Sequence, residues 1–442
     1  MQFNSVPFLF YFFPLFLAVY YLIPASFRNW VLVLGSLVFY YQAGVNKPLV
    51  LGLLLGTTLF TYLTGRCLSK KRPLILAASL GLLLGVLVFF KLYDGGKLLP
   101  AGLSFYLFQQ VAYLIDTYRR QLKPERNLIR YSAQIMMFPK VLMGPLMDPA
   151  DLQKQVRTPG FDADRFHRGL QELILGLGLK VLLADRIGGL WAQASVFGYE
   201  NISTPFAWLS LVAFAMRLYF DFWGYSVMAR GIGHMLGFEL PENFLDPYTS
   251  TSVSEFWRRW HASLGLWFRK YLYIPLGGNR NGSVRTLLNL LVVWLFTGFW
   301  HGIGGNYLVW AMFLFVFIVN ERLWLRYILK DAGPFAHIYT VVVILISWVP
   351  FAIGDWNSMI IFGSKLLGEG LPALNVDDFV PWLQQYQWLL LAGVVFSTSL
   401  PRKVWRKIRN HWLTDVALFI MLWICVYFVC TSAQDPFMYF DY

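Results

Sequence analysis

An all-α integral membrane fold is predicted by three features of this 442-residue sequence. Hydrophobic residues make up 57% of it and charged residues only 14%, far from the mixture found in a water-soluble domain. The apolar residues gather into runs such as 49–63, 74–90, 339–353 and 416–430, each near or a little below the roughly 20 residues that cross a hydrocarbon core. The Lys and Arg residues, which give a formal net charge of +13, cluster between the runs. Counting shorter and Pro- or Gly-broken runs as well predicts roughly ten to twelve membrane helices, with re-entrant or amphipathic helices among them, in one domain over residues 1–442.

The N-terminal run MQFNSVPFLFYFFPLF has neither a basic leader nor a small-residue cleavage site, so it is expected to stay as a first helix and not to be removed as a signal peptide. Pro7 and Pro14 predict a bent or partly interfacial course. The basic segments Arg66–Arg72 and Arg402–Arg409 are expected to remain cytoplasmic, which places the N-terminus and the tail Asp435–Tyr442 on the opposite side. These charges flank membrane runs and lack interleaved aromatic bases of a nucleic-acid module, so their expected neighbour is the lipid bilayer and not nucleic acid. Cys67, Cys425 and Cys430 lie close to or within apolar runs in no metal-ligand spacing and read as structural thiols; no metal site is expected.

From Leu103 the sequence changes. Gln109, Gln110 and Asp116 within GLSFYLFQQVAYLIDTYRR predict a helix that faces protein and not lipid. Residues 148–168, with Pro149, Pro159 and His167, read as the longest polar connection of the first half. No repeat of solenoid or inverted-repeat period is present, which argues against many transporter folds.

Polar and aromatic residues concentrate between Phe214 and Arg322. In 253–271, Val253, Phe256, Trp257, Trp260, Leu264, Trp267, Phe268 and Tyr271 recur at three- and four-residue steps, one face of an amphipathic helix. Glu255, Arg258, Arg259, Arg269 and Lys270 form its other face, suited to a re-entrant or cytoplasmic-surface helix. His261 follows the apolar stripe, as a packed histidine would, and faces protein or a cavity. Gly277–Gly282 is a turn cluster.

The run around WLFTGFWHGIGG breaks at His301. Its uninterrupted apolar piece, 287–300, is short for a span, and Gly298, Gly302, Gly304 and Gly305 free the backbone there. The break reads either as a pocket wall or as a short turn between two helices. A neutral imidazole can take a proton from a hydroxyl near neutral pH. No serine–histidine–aspartate order appears, so direct activation of an acceptor hydroxyl against an activated acyl group suits the inventory better than a local acyl-serine.

At LSFYLFQ (103–109), Asp116-Thr117-Tyr118-Arg119, MMFPKVLMGPL (136–146), ENFLDPY (242–248), EFWRRWHASL (255–264), YLYIPLGGNR (271–280) and FWHG (299–302) the chain resembles the membrane-bound O-acyltransferase family. The resemblance is to its bacterial branch of alginate-type polysaccharide O-acetyltransferases, related to the teichoic-acid D-alanyl transferase. It implies a many-helix fold around a central tunnel, with His301 as the essential catalytic histidine and His261 as the other recurrent one. Asn243, Trp257, Arg258, Arg259, Trp260, Trp300, Asp221 and Tyr225 lie in or beside these motifs and are candidates for donor binding or the tunnel wall. The resemblance further implies acetyl-CoA as donor with no permanently bound cofactor, a bacterial inner-membrane location and an extracytoplasmic SGNH-type acetyltransferase partner. The glycan would be of alginate, cellulose or peptidoglycan type. Two departures raise the local positive charge: Val227 stands where the branch carries an acidic residue, and Lys270 where aspartate is common. D-alanyl transfer from a carrier protein is the nearest rival. A proton-coupled transporter or lipid flippase is the rival of another class, and Asp116 and Asp221 are the residues that keep it open.

Overall fold

The computed structural model describes residues 1–43, 47–68, 72–93, 98–157, 160–369, 377–431 and 437. The centre of the basic segment 66–72 and, apart from Phe437, the tail Asp435–Tyr442 lie outside the described residues. All regular structure among those described is helical. Among the described residues, seven helices are long and apolar enough to cross a membrane: Lys47–Cys67, Pro73–Leu92, Thr204–Met235, Gly282–His301, Gly305–Asp331, Pro334–Ala352 and Trp412–Thr431.

The larger number expected from the sequence includes helices that fall short of this in length or apolarity, such as Arg28–Ala43, Leu103–Tyr118 and Phe379–Phe396. Burial explains why apolarity is a poor guide for them. The apolar window of Thr204–Met235 is 72% buried, whereas that of Trp412–Thr431 is 22% buried and must be apolar on nearly every side. A helix surrounded by protein can carry polar side chains if they find partners.

The chain forms two compact units. The first comprises Met1–Leu177, Tyr225–Glu242 and Leu422–Phe440. Its N-terminal helix is widened to π form over Pro7–Phe12 immediately before Pro14, the second residue of the following α-helix Phe13–Leu22. Pro14 has no N–H to return to the preceding turn, and the wider winding absorbs that loss. Helix Leu103–Tyr118 is almost wholly buried and uses its amides between helices. Gln110 donates to the hydroxyls of Thr57 and Thr58 at 3.2 and 3.3 Å, and Gln109 donates to the Met147 carbonyl at 3.1 Å. The polar stretch 148–168 is not one open connection: it contains helix Pro149–Arg157 and the first turns of helix Ala163–Gly178. Asp151 and Asp164 in their first turns favour the positive helix ends, which polarity alone does not reveal.

The second unit comprises Gly178–Gly224 and Asn243–Met421 among its described parts. The segment 253–271, expected as one helix, is two short ones, Val253–Arg259 and Ala262–Phe268, followed by a π turn over Arg269–Tyr273. The break is stabilised from outside the helix. Trp260 is extended, His261 takes left-handed angles of φ 46° and ψ 48°, and the segment 243–245 pairs across the gap. Leu245 N–H donates to the Arg259 carbonyl at 3.0 Å and Ala262 N–H to the Asn243 carbonyl at 2.9 Å. These bonds replace the ones a continuous helix would make.

The run before His301 is likewise longer than its apolar part. Helix Gly282–His301 has 20 residues, enough for a full crossing, and its buried polar Asn289 is satisfied by donating to the Gly278 carbonyl at 2.9 Å.

Candidate active site

His301 is the last residue of its helix. Gly302 is extended, and the next helix begins at Gly305, so the glycines form a tight reversal and the short-turn reading holds. Two of them are needed for close approach. A Cβ on Gly298 would lie 2.9 Å from Ala311 Cβ and 3.0 Å from the Tyr307 carbonyl, and one on Gly302 would strike the Tyr307 ring. The reversal therefore lets the two helices cross closely enough to set the His301 imidazole 4.9 Å from the Trp310 ring, edge to face. Phe351, on helix Pro334–Ala352, closes in at 5.1 Å, and Asn306 ties the turn to that helix by donating to the Pro350 carbonyl at 3.0 Å. His301 is buried.

His261 reaches the same aromatic cluster from the helix break. Its ring stands 4.8 Å from Phe222 and 6.1 Å from Trp300, and Trp300 in turn lies 4.5 Å from His301. The left-handed residue turns the chain between the two short helices, so His261 begins the second of them instead of continuing the stripe of the first.

Asn243 decides which nitrogen of His261 carries the proton. Its side-chain Oδ1 receives the backbone N–H of Ser263 at 3.3 Å and the Ser263 hydroxyl at 2.9 Å. A backbone N–H can only donate, so this atom is an acceptor, and Nδ1 of His261, 3.0 Å away, must be the donor. Nε2 then holds the lone pair of the neutral ring. Burial pushes the His261 imidazole down to about 3, so it stays neutral through the physiological range. A ring that stays neutral can accept a hydrogen bond at Nε2 but carries no extra proton.

Trp257 and Trp260 belong to the aromatic wall. Trp257 stands 5.5 Å from Trp310 and 5.4 Å from Trp294, and Trp260 packs 5.3 Å from Trp348. The Trp348 N–H donates to the Tyr248 hydroxyl at 3.3 Å. By contrast, among the described residues the buried indole N–H groups of Trp257 and Trp310 meet no acceptor. A buried donor left unsatisfied costs about 1–3 kcal/mol and calls for an explanation.

The other candidates separate. Arg259 is built into the scaffold: it pairs with Glu255, donates to the Thr249 hydroxyl at 2.7 Å and reaches the Asp246 carbonyl. Arg258 is exposed and has no such ties among the described residues. Asp221 is held in a buried ion pair, 2.6 Å from Lys180, which also reaches Asp185 at 2.7 Å. Tyr225 belongs to the first unit, where it stacks on Phe3 at 4.9 Å and meets Phe437 edge-on.

One residue escaped sequence reasoning. The buried carboxylate of Glu321 caps helix Val253–Arg259, accepting the N–H groups of Val253 and Ser254 at 2.6 and 2.9 Å and the Ser254 hydroxyl at 2.6 Å. Tyr339 adds a fourth bond at 3.3 Å. A lone acidic residue at the end of a long apolar run was the available signal.

The chain is similar to known membrane proteins. The model of the MBOAT, membrane-bound O-acyltransferase family, matches residues 74–361, which hold both histidines. "Probable alginate O-acetylase AlgI" of Pseudomonas fluorescens is 37% identical, covering 84% of this chain and 77% of its own. The peptidoglycan O-acetyltransferase of Helicobacter pylori is 27% identical over 100% of this chain and 98% of its own. The teichoic acid D-alanyltransferase of Bacillus subtilis is 25% identical over 48% of this chain and 56% of its own. With a helical multi-pass architecture, a family model spanning most of its length and a close full-domain relative, this chain belongs to the membrane-bound O-acyltransferase family.

Proposed function

We propose that this O-acyltransferase takes an acetyl group from cytoplasmic acetyl-CoA and passes it across a bacterial inner membrane toward an extracytoplasmic polysaccharide of alginate, cellulose or peptidoglycan type. The observation that carries this reading is that His301 and His261 are both buried and both pack near Trp300, at 4.5 and 6.1 Å, in one aromatic cluster. The near-full coverage by acetyltransferase relatives, against half coverage by the D-alanyl one, supports acetyl as the group moved. The engagement of Asp221 by Lys180 supports a structural role for that carboxylate, against the proton-path role that a transporter would need.

In this reading His301 takes the proton of the acceptor hydroxyl as its oxygen attacks the thioester carbonyl. The C–O ester bond forms, the C–S bond breaks, and the departing thiolate takes the proton back from His301. The free N–H of Trp310, on a ring beside His301, donates to the carbonyl oxygen as negative charge gathers on it. His261, fixed by Asn243, offers a neutral acceptor that orients the reactants. The acceptor hydroxyl belongs to an SGNH-type partner transferase, which completes delivery to the glycan, and the C-terminal tail lies on that extracytoplasmic side.

Acetyl-labelled acetyl-CoA enclosed with the full-length protein in liposomes tests the vectorial claim. Label should appear on an acceptor supplied outside only when the 402–409 segment faces the donor. Transfer confined to acceptors on the donor's own side would sink the transmembrane route.

A further inference from the structure

The basic residues of helix Leu400–Ile408 point first to membrane orientation. The surroundings of the helix say more. Leu400, Val404 and Ile408 recur every four residues, form one stripe and are all exposed. Lys403, Arg406 and Lys407 are exposed as well, and among the described residues none has an ionic or hydrogen-bonded partner. The helix leads through residues 409–411 directly into the span Trp412–Thr431. An apolar stripe edged by unpaired cations, joined to a span, fits a bilayer interface that carries negative charge.

The fourth cation of this helix points elsewhere. Arg402 donates to the Phe244 carbonyl at 3.0 Å and pairs with Asp246 at 3.3 Å. These residues belong to the segment whose Asn243 fixes His261, and Asp246 is held in a left-handed conformation with φ 52°. The same segment is bonded to the helix break through Leu245 and Ala262. Hydrogen bonds at both ends of the short segment 243–246 therefore connect the surface helix, through that segment's backbone, to the His261 imidazole.

We infer that helix Leu400–Ile408 is a binding surface for anionic phospholipid headgroups, and that Arg402 couples its seating to the loop that orients His261. The coupling half rests on the acyl-transfer reading given above; the lipid surface does not. Headgroups bound by Lys403, Arg406 and Lys407 hold the helix in the interface and keep Arg402 in register with Phe244 and Asp246.

The test uses the full-length protein in phosphatidylcholine nanodiscs, with and without phosphatidylglycerol, reading Tm and acetyl-CoA turnover. Phosphatidylglycerol should raise Tm by several degrees and turnover several-fold. The combined Lys403→Gln, Arg406→Gln, Lys407→Gln variant should lose both increments while matching the native protein in phosphatidylcholine alone. Arg402→Gln should keep the Tm response and lose the turnover response. An unchanged phosphatidylglycerol response in the triple variant would overturn the surface, as would an equal Tm rise produced by inorganic phosphate without the anionic lipid. A turnover response preserved in Arg402→Gln would overturn the coupling. Tm is read without catalysis, so native protein that shows the lipid-dependent Tm but no turnover in any bilayer counts against the acyl-transfer reading and not against the lipid surface.

Discussion

Asn243 holds His261 in a single tautomer: its side-chain oxygen, already committed as an acceptor to the Ser263 N–H, lies 3.0 Å from Nδ1. Removing that oxygen in Asn243→Ala should lower kcat/KM by roughly 10- to 100-fold, the usual cost of losing a partner that orients a functional histidine. Asn243→Asp keeps an acceptor at the same place but sets a negative charge against the ring. An opposite charge favours the protonated imidazole, so the His261 pKa rises from about 3. Protonation removes the Nε2 lone pair, and activity is then lost as pH falls through the raised value. A pH–rate profile should show no His261 inflection between about pH 5 and 8 in the native protein and a new acid-side loss in Asn243→Asp. Superimposable profiles would show that the Asn243–His261 bond is not part of the reaction.

Trp310 supplies the second test. Trp310→Phe removes the indole N–H while keeping an aromatic ring against His301, and because that N–H meets no acceptor among the described residues, Tm should change little. If it stabilises charge on the thioester oxygen, kcat should fall by at least about tenfold with KM nearly unchanged. A fully active Trp310→Phe protein would assign the donor no part in the chemistry.

Arg258 and Arg259 are neighbours with different duties. Arg259→Gln breaks ties to Glu255 and Thr249 and should lower Tm and yield. Arg258→Gln breaks none of these, and should instead raise the apparent KM for acetyl-CoA more than for a truncated thioester that lacks the nucleotide phosphates. Equal KM changes with both donors would remove Arg258 from the donor site. The check is a paired set of KM and Tm measurements on the two variants.

That the two histidines deserve notice was legible in the sequence because their settings are chemically conspicuous there: one inside an apolar run, flanked by Trp300 and glycines, and a second among arginines and tryptophans. The break at His261 was not legible. Periodicity reads spacing along the sequence, and two short helices joined by one left-handed residue keep the same three- and four-residue spacing as a single helix would. What stabilises that break is the segment 243–245, whose pairing is a long-range event. Glu321 was missed for the same reason, since its partners lie nearly seventy positions away, at Val253 and Ser254. Asp221 and Tyr225 looked like pocket residues because they adjoin a motif. On a helix, neighbours in sequence face different ways, and here Phe222 meets His261 while Asp221 meets Lys180. Only some of the expected membrane helices meet a strict test of length and apolarity among the described residues, because protein-enclosed helices such as Leu103–Tyr118 are not apolar on every side.

The central claim is that His301 moves the proton of the acceptor hydroxyl. It is tested most directly by purifying full-length His301→Ala beside the native protein, matching their Tm values and following transfer of labelled acetyl from acetyl-CoA in the same liposomes. The ring is packed among Trp300, Trp310 and Phe351 but ends its helix, so the variant should fold and insert. The account predicts transfer reduced by at least about 10²- to 10⁴-fold, the range supplied by a positioned general base. A stably folded His301→Ala protein that transfers acetyl at a rate near the native one would contradict it.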